Sequence, residues 1–188
     1  DGDGRTDLGL YRASNSTFYF ISSSDNVAGG LAVGSTCDVP AVSDYDGDGK
    51  TDYAVYRPSE GRWYFQGTTG VYEVHNWGQA GDIPQTGDYD GDGKTDLAIF
   101  RPSTGDWWYQ SSVNNNQIQV HWGQSGDVPR PSDFDGDGRL DVVAASNTHE
   151  HAGSVRLLSI FMTSATGALV PATGRAMAAV RSTAAYSY

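Results

Sequence analysis

The sequence predicts an all-β fold: a β-propeller of four-stranded antiparallel blades of about 45 residues, four blades and a degenerate partial fifth. Three observations predict it. An Asp-rich stretch recurs every 44 or 45 residues, as "DGDGRTD" at 1–7, "DYDGDGKTD" at 44–52 and 88–96, and "DFDGDGRLD" at 133–141. Each period holds the same four strand-like segments, punctuated by Pro and Gly. The composition, with 24 Gly, many Ser, Thr, Tyr and Trp and little Glu or Lys, favours strands and turns over helices. A β-solenoid, whose coils are usually shorter, and a sandwich, which needs no strict period, are the runner-up architectures.

Within a period the elements follow in a constant order. After the Asp stretch comes an apolar run: "LGLYR" at 8, "YAVYRP" at 53, "LAIFRP" at 97 and "VVAAS" at 142. Small residues (Gly9, Ala54, Ala98) stand between large ones, and both faces are apolar, as in a strand buried between two stacked sheets. Turns such as "RPSEG" and "RPSTG" reverse the chain. An aromatic run follows ("FYF" at 18, "WYF" at 63, "WWY" at 107), then a more polar segment further from the centre, then "GDIPQTGDY" or "GDVPRPSDF". The repeats are 1–43, 44–87, 88–132 and 133–174, read as one domain over 1–188, with 175–188 a degenerate partial repeat or tail. Aligning Gly174 with Gly87 puts Arg175, Met177, Ala179 and Thr183 at the Asp positions, so a fifth loop would carry no ligand.

Each Asp stretch reads DxDxDGxxD, with side-chain oxygens at positions 1, 3, 5 and 9 and a backbone carbonyl available at 7. Calcium takes six to eight oxygens, and this spacing supplies them from one tight loop. The expected ligand sets are Asp44, Asp46, Asp48, Lys50 and Asp52; Asp88, Asp90, Asp92, Lys94 and Asp96; and Asp133, Asp135, Asp137, Arg139 and Asp141, with the backbone carbonyl of the basic residue serving in each. Asp1, Asp3 and Asp7 make an incomplete fourth, expected to be weaker or empty because nothing precedes Asp1. An EF-hand would need Glu at position 12 and a following helix; Val55, Ile99 and Ala144 stand there, inside apolar runs.

The motif "GDYDGDGKTDLAIFRPSTGDWW" resembles the FG-GAP and VCBS class of calcium-loop repeats, found in integrin α-subunit propellers, fungal propeller lectins and secreted bacterial proteins. The resemblance spans about residues 1–145. It implies that the loop joins the first and second strands of a blade, that calcium is structural, and that the same aspartates are its ligands.

Fifteen of the 23 acidic residues lie in the Asp loops, so the net charge of −11 is local; nucleic acid and membrane insertion are not expected. The expected function is a non-enzymatic, extracellular binding, adhesion or assembly module. It would recognise a carbohydrate or protein surface, or self-associate through unclosed blade edges. The alternatives are a non-catalytic accessory region of a secreted hydrolase and a structural subunit of an extracellular fibre or surface layer. Cys37 reads as a small buried apolar residue, and "HEH" at 149–151 as a surface loop. His75 and His121, each close before a Trp, read as recurrent packing residues, and the aromatics as wedges between blades or, alternatively, as exposed platforms.

Overall fold

A computed structural model describes residues 1–134, 136–145, 157–163 and 169–171. Among these residues there is no helix, and the strands form four antiparallel sheets in chain order. The first is β1 (Leu8–Arg12), β2 (Thr17–Ile21) and β3 (Ala28–Ala32). The second is β4 (Val39–Pro40), β5 (Tyr53–Arg57), β6 (Arg62–Gln66) and β7 (Tyr72–Asn76), and the third β8 (Ile83–Pro84), β9 (Leu97–Arg101), β10 (Asp106–Gln110) and β11 (Gln117–His121). The fourth is β12 (Val128–Pro129), β13 (Val142–Ala145), β14 (Leu157–Thr163) and β15 (Leu169–Pro171). Each four-stranded sheet begins one short strand before the Asp loop, so the loop lies inside the sheet and joins its first two strands. The segments 146–156 and 175–188, including "HEH" and the degenerate fifth loop, lie outside the described residues.

Alternation along β5 and β9 turns the sheets into a stack. Ala54 and Tyr56 pack with Trp63, Phe65, Leu97 and Ile99 against the third sheet, whereas Val55, one residue out of phase, packs with Phe18 and Val33 against the first. On β9, Ala98 and Phe100 turn away from Leu97 and Ile99 and join Tyr89, Trp107 and Tyr109. A strand sends successive side chains to opposite faces, so a run apolar throughout must be covered twice. The aromatics expected as wedges do this: Trp63 is wholly buried and its indole N–H donates to the Trp77 carbonyl (2.8 Å). Trp107 is also buried, while Trp108 is partly covered against the second-sheet cluster. The outer strand β7 is exposed along its length.

One tie recurs that the repeat pattern did not announce. Asp82, buried just before β8, receives Arg101 Nε and Nη2 at 2.9 Å each, and the Gln79 N–H at 2.9 Å. Asp38 holds Arg57 Nε (2.8 Å) and Nη2 (2.9 Å) in the same way. This two-pronged bond joins the first turn of a sheet to the end of its second strand, 19 residues on. The following hairpin closes on Gly105, at φ +74, where a Cβ would stand 2.2 Å from the Gly123 carbonyl oxygen.

Two expectations need correction. Cys37 is exposed, at φ +76 in the turn before β4, where its side chain has no sheet to pack under. His75 and His121 are not equivalent. His75 stands opposite Trp63, but the residue opposite Trp107 is Val120, and His121 stands opposite Asp106. A one-residue offset sends them to opposite faces. Both are exposed; His75 keeps an edge-on packing contact with the Phe65 ring (centroids 5.1 Å) and lies beside Glu73 (3.0 Å), whereas His121 lies beside Asp106 (2.9 Å).

Candidate metal centres

Each Asp loop is folded by its own carboxylates before any ion is considered. Asp44 Oδ1 accepts the Gly47 N–H and its Oδ2 the Gly49 N–H; Asp133 receives Gly136 and Gly138 in the same pattern, and Asp88 receives Gly91 and Gly93. Asp48 Oδ1 accepts the Lys50 N–H (2.8 Å) and Asp92 Oδ1 the Lys94 N–H (2.7 Å). Aspartate side chains that bind backbone N–H groups a few residues on are the usual means of holding a tight turn. The last aspartate points inward and closes the loop: Asp52, Asp96 and Asp141 are buried and accept the N–H of Tyr45, Tyr89 and Phe134. Beneath the third loop, the Tyr89 ring is buried and its hydroxyl donates to the Gln85 carbonyl (2.6 Å).

Sequence reasoning missed a second layer of residues, in the hairpin between the third and fourth strands. The Thr68 N–H donates to Asp52 Oδ1 (2.9 Å) and its hydroxyl to Asp48 Oδ2 (2.7 Å). Ser112 repeats both bonds, to Asp96 (2.8 Å) and Asp92 (2.7 Å), and Ser23 does the same for Asp7 and Asp3. The signal was present as a hydroxyl residue 16 positions after the last aspartate of each of these loops. Ser111 adds a bond to Asp90 Oδ2 (2.7 Å), and Ser22 bonds Asp1 in the equivalent place; Gly67 offers no hydroxyl there in the second sheet.

Carboxylate oxygens converge in three of the loops. One oxygen from each of Asp44, Asp46 and Asp48 lies within 4.8 Å of the others, as do those of Asp88, Asp90 and Asp96, and of Asp1, Asp3 and Asp7. Asp52 and Asp92 stand outside these trios. Asp133, Asp137 and Asp141 keep the loop geometry of their counterparts, and Asp135 lies outside the described residues. In the first loop the amino terminus forms an ion pair with Asp7 (2.8 Å).

The charge balance of the second and third loops points to a cation. Among the described residues no lysine, arginine or histidine forms an ion pair with any of their eight aspartates. Burial pushes the Asp96 carboxyl up to about 6, and the charges of Asp90 and Asp88 act in the same direction, against the hydrogen bonds from Ser112 and Tyr89. An all-oxygen donor set of this kind, without ion pairs among the described residues, fits a hard divalent ion, which would supply positive charge.

Between the second and third sheets, beside the second Asp loop, opens a cleft of about 380 Å³. Tyr45, Phe65 and Leu97 give it an apolar lining, and Glu73, Gln110 and Asn115 bring polar groups to it.

The FG-GAP-like repeat model matches the chain twice, over residues 44–99 and 88–144. Each match takes in two Asp loops and the three longer strands of the sheet between them. A comparison with curated proteins gave no match.

Proposed function

The chain belongs to the FG-GAP-like repeat family, and on that premise we propose that it is a calcium-stabilised extracellular β-propeller that acts as a binding module for carbohydrate, without catalytic activity of its own. The stacked four-stranded sheets are its blades. Calcium held by Asp44, Asp46 and Asp48, by Asp88, Asp90 and Asp96, and by the matching fourth loop braces the connection between the first two strands of each blade. The ion's role is structural.

The observation that carries the cation reading is the set of eight loop aspartates that form no ion pair with a basic side chain among the described residues, one of them buried with its carboxyl raised. The cleft supports the binding reading. Its volume of about 380 Å³ falls within the range of small-molecule sites, roughly 300–1,000 Å³. Tyr45, Phe65 and Leu97 give the cleft an apolar floor while Glu73, Gln110 and Asn115 offer hydrogen-bonding groups, a mixture that suits a sugar ring with one apolar face. The assembly alternative has its own support in β7, an exposed edge strand carrying Tyr72 and Val74.

The test pairs thermal melting with a glycan array. Calcium should raise the melting temperature of the chelator-treated protein by several degrees, and a chelator-indifferent melt defeats the cation reading. Array binding that is lost in Asn115→Ala and Glu73→Gln with the melting temperature unchanged supports the carbohydrate reading. A blank array with concentration-dependent oligomers shifts the conclusion to an assembly subunit.

A further inference from the structure

Consecutive Asp loops touch, and they touch through the basic residue at position 7. A Cβ added to Gly47 would stand 3.1 Å from both Cγ and Cε of Lys94, which belongs to the following loop. Lys50 lies likewise across Gly2 of the first loop (3.1 Å to Cγ), and Arg139 across Gly91 of the third (2.5 Å to Nε). The backbones are joined at the same places: the Thr95 N–H donates to the Asp44 carbonyl and the Leu140 N–H to the Asp88 carbonyl, each at 2.8 Å. The hydroxyls of Ser43 and Thr95 meet at 2.6 Å. A side chain at Gly47 or Gly2 would press on the neighbouring loop's cationic stem, at positions whose φ near +80 already favours glycine.

Lys94 therefore belongs to two loops. Its N–H binds Asp92 within its own loop (2.7 Å), while its side chain covers the turn of the preceding one. Its ammonium group forms no ion pair among the described residues, so its charge acts on the second loop through the field. We propose that the basic residue of each Asp loop is a positioning residue for the loop before it: Lys94 sets the cation affinity of loop 44–52, as Lys50 does for loop 1–7 and Arg139 for loop 88–96. The stem holds the glycine turn in place, and the positive charge competes with the incoming ion. Cation binding in successive repeats is coupled through these residues. The inference rests on the cation reading given above.

The experiment uses terbium as the probe on the full chain, because its emission is sensitised by a nearby tyrosine. Tyr45 stands in the second loop and Phe134 in the same place of the fourth, while Tyr53 lies near Asp7 of the first, so silencing the first with Asp3→Asn and Asp7→Asn and the third with Asp88→Asn and Asp90→Asn leaves the second as the reporter. In that background Lys94→Met keeps an unbranched apolar stem and removes the charge. Terbium should then bind the second loop roughly 2–5-fold more tightly, Lys94→Arg should restore the original affinity, and the metal-free melting temperature should not move. Arg62→Met, which removes a charge paired with Glu60 outside the loops, should leave the second loop's affinity unchanged. Equal affinity in Lys94→Met and its parent, or an equal gain from Arg62→Met, overturns the coupling while leaving the cation reading standing. An absence of any terbium binding in the unmodified chain overturns both.

Discussion

Replacing Arg101 by methionine tests what holds each sheet's first turn to its second strand. The substitution keeps an apolar stem of similar reach but strips Asp82 of two hydrogen bonds at 2.9 Å, leaving its carboxylate with the Gln79 N–H as its remaining partner. Asp82's side chain is fully enclosed, and Arg101's is 18% exposed. Breaking such a pair from one side costs about 3–5 kcal/mol, because a buried charge is left uncompensated. The retained Gln79 bond places Arg101→Met near the lower end. For a chain of this size about 3 kcal/mol corresponds to a fall in melting temperature of roughly 6–12 °C. Removing the charge as well, in Asp82→Asn with Arg101→Met, should recover part of that loss. Arg12 is the internal control: it binds the Tyr19 hydroxyl at 3.2 Å on an exposed surface, so Arg12→Met should cost about 0.5 kcal/mol or less. Calorimetry on the four proteins decides the matter. An Arg101→Met protein within about 1 kcal/mol of the parent, or a double variant no more stable than the single one, would refute the reasoning.

Three further outcomes follow from the geometry. In chelator, stability should decline as pH rises from about 4 to about 6, because Asp96 is raised to about 6 in the folded chain and the unfolded chain gives up that proton first; screening at the loop keeps the effect to about 1–2 kcal/mol, and Asp96→Asn should flatten the profile measured by urea denaturation. Thr68→Val removes the hydroxyl bond that is the leading cause of the lowered Asp48 carboxyl, so an NMR titration should find that group moved up toward the ordinary value, and an unmoved titration would count against the hairpin's role. Trp63→Phe should cost about 1–3 kcal/mol, since it orphans the Trp77 carbonyl, whereas Trp107→Phe should cost less, its buried indole N–H having no hydrogen-bond partner to lose; equal losses in denaturant midpoint would contradict this.

Much of the architecture was legible because it repeats locally. Strand positions followed from apolar runs bounded by "RPSEG" and "RPSTG", and the clustering of loop carboxylates from aspartates spaced two apart around glycines, patterns written within nine consecutive residues. The histidines show where such reading fails. His75 and His121 both precede a tryptophan, yet one residue of offset put them on opposite faces, which only strand register reveals. Cys37 was misplaced for a related reason: burial depends on whether a turn is covered by a neighbouring sheet, and composition carries no information about that.

By itself, then, the sequence determined the period, the all-β character, the order of strands around each Asp loop and the carboxylates that line it, since these follow from contacts between near neighbours. Tertiary structure alone decided that β5 and β9 are covered on both faces, that Asp82 meets Arg101 across 19 residues, that Thr68 and Ser112 reach back to their loops, and that Lys94 lies on Gly47. The physical reason is that these pairings depend on how antiparallel strands register and how successive sheets stack. Both are set by the sum of packing over whole faces, and no short stretch of residues encodes that sum.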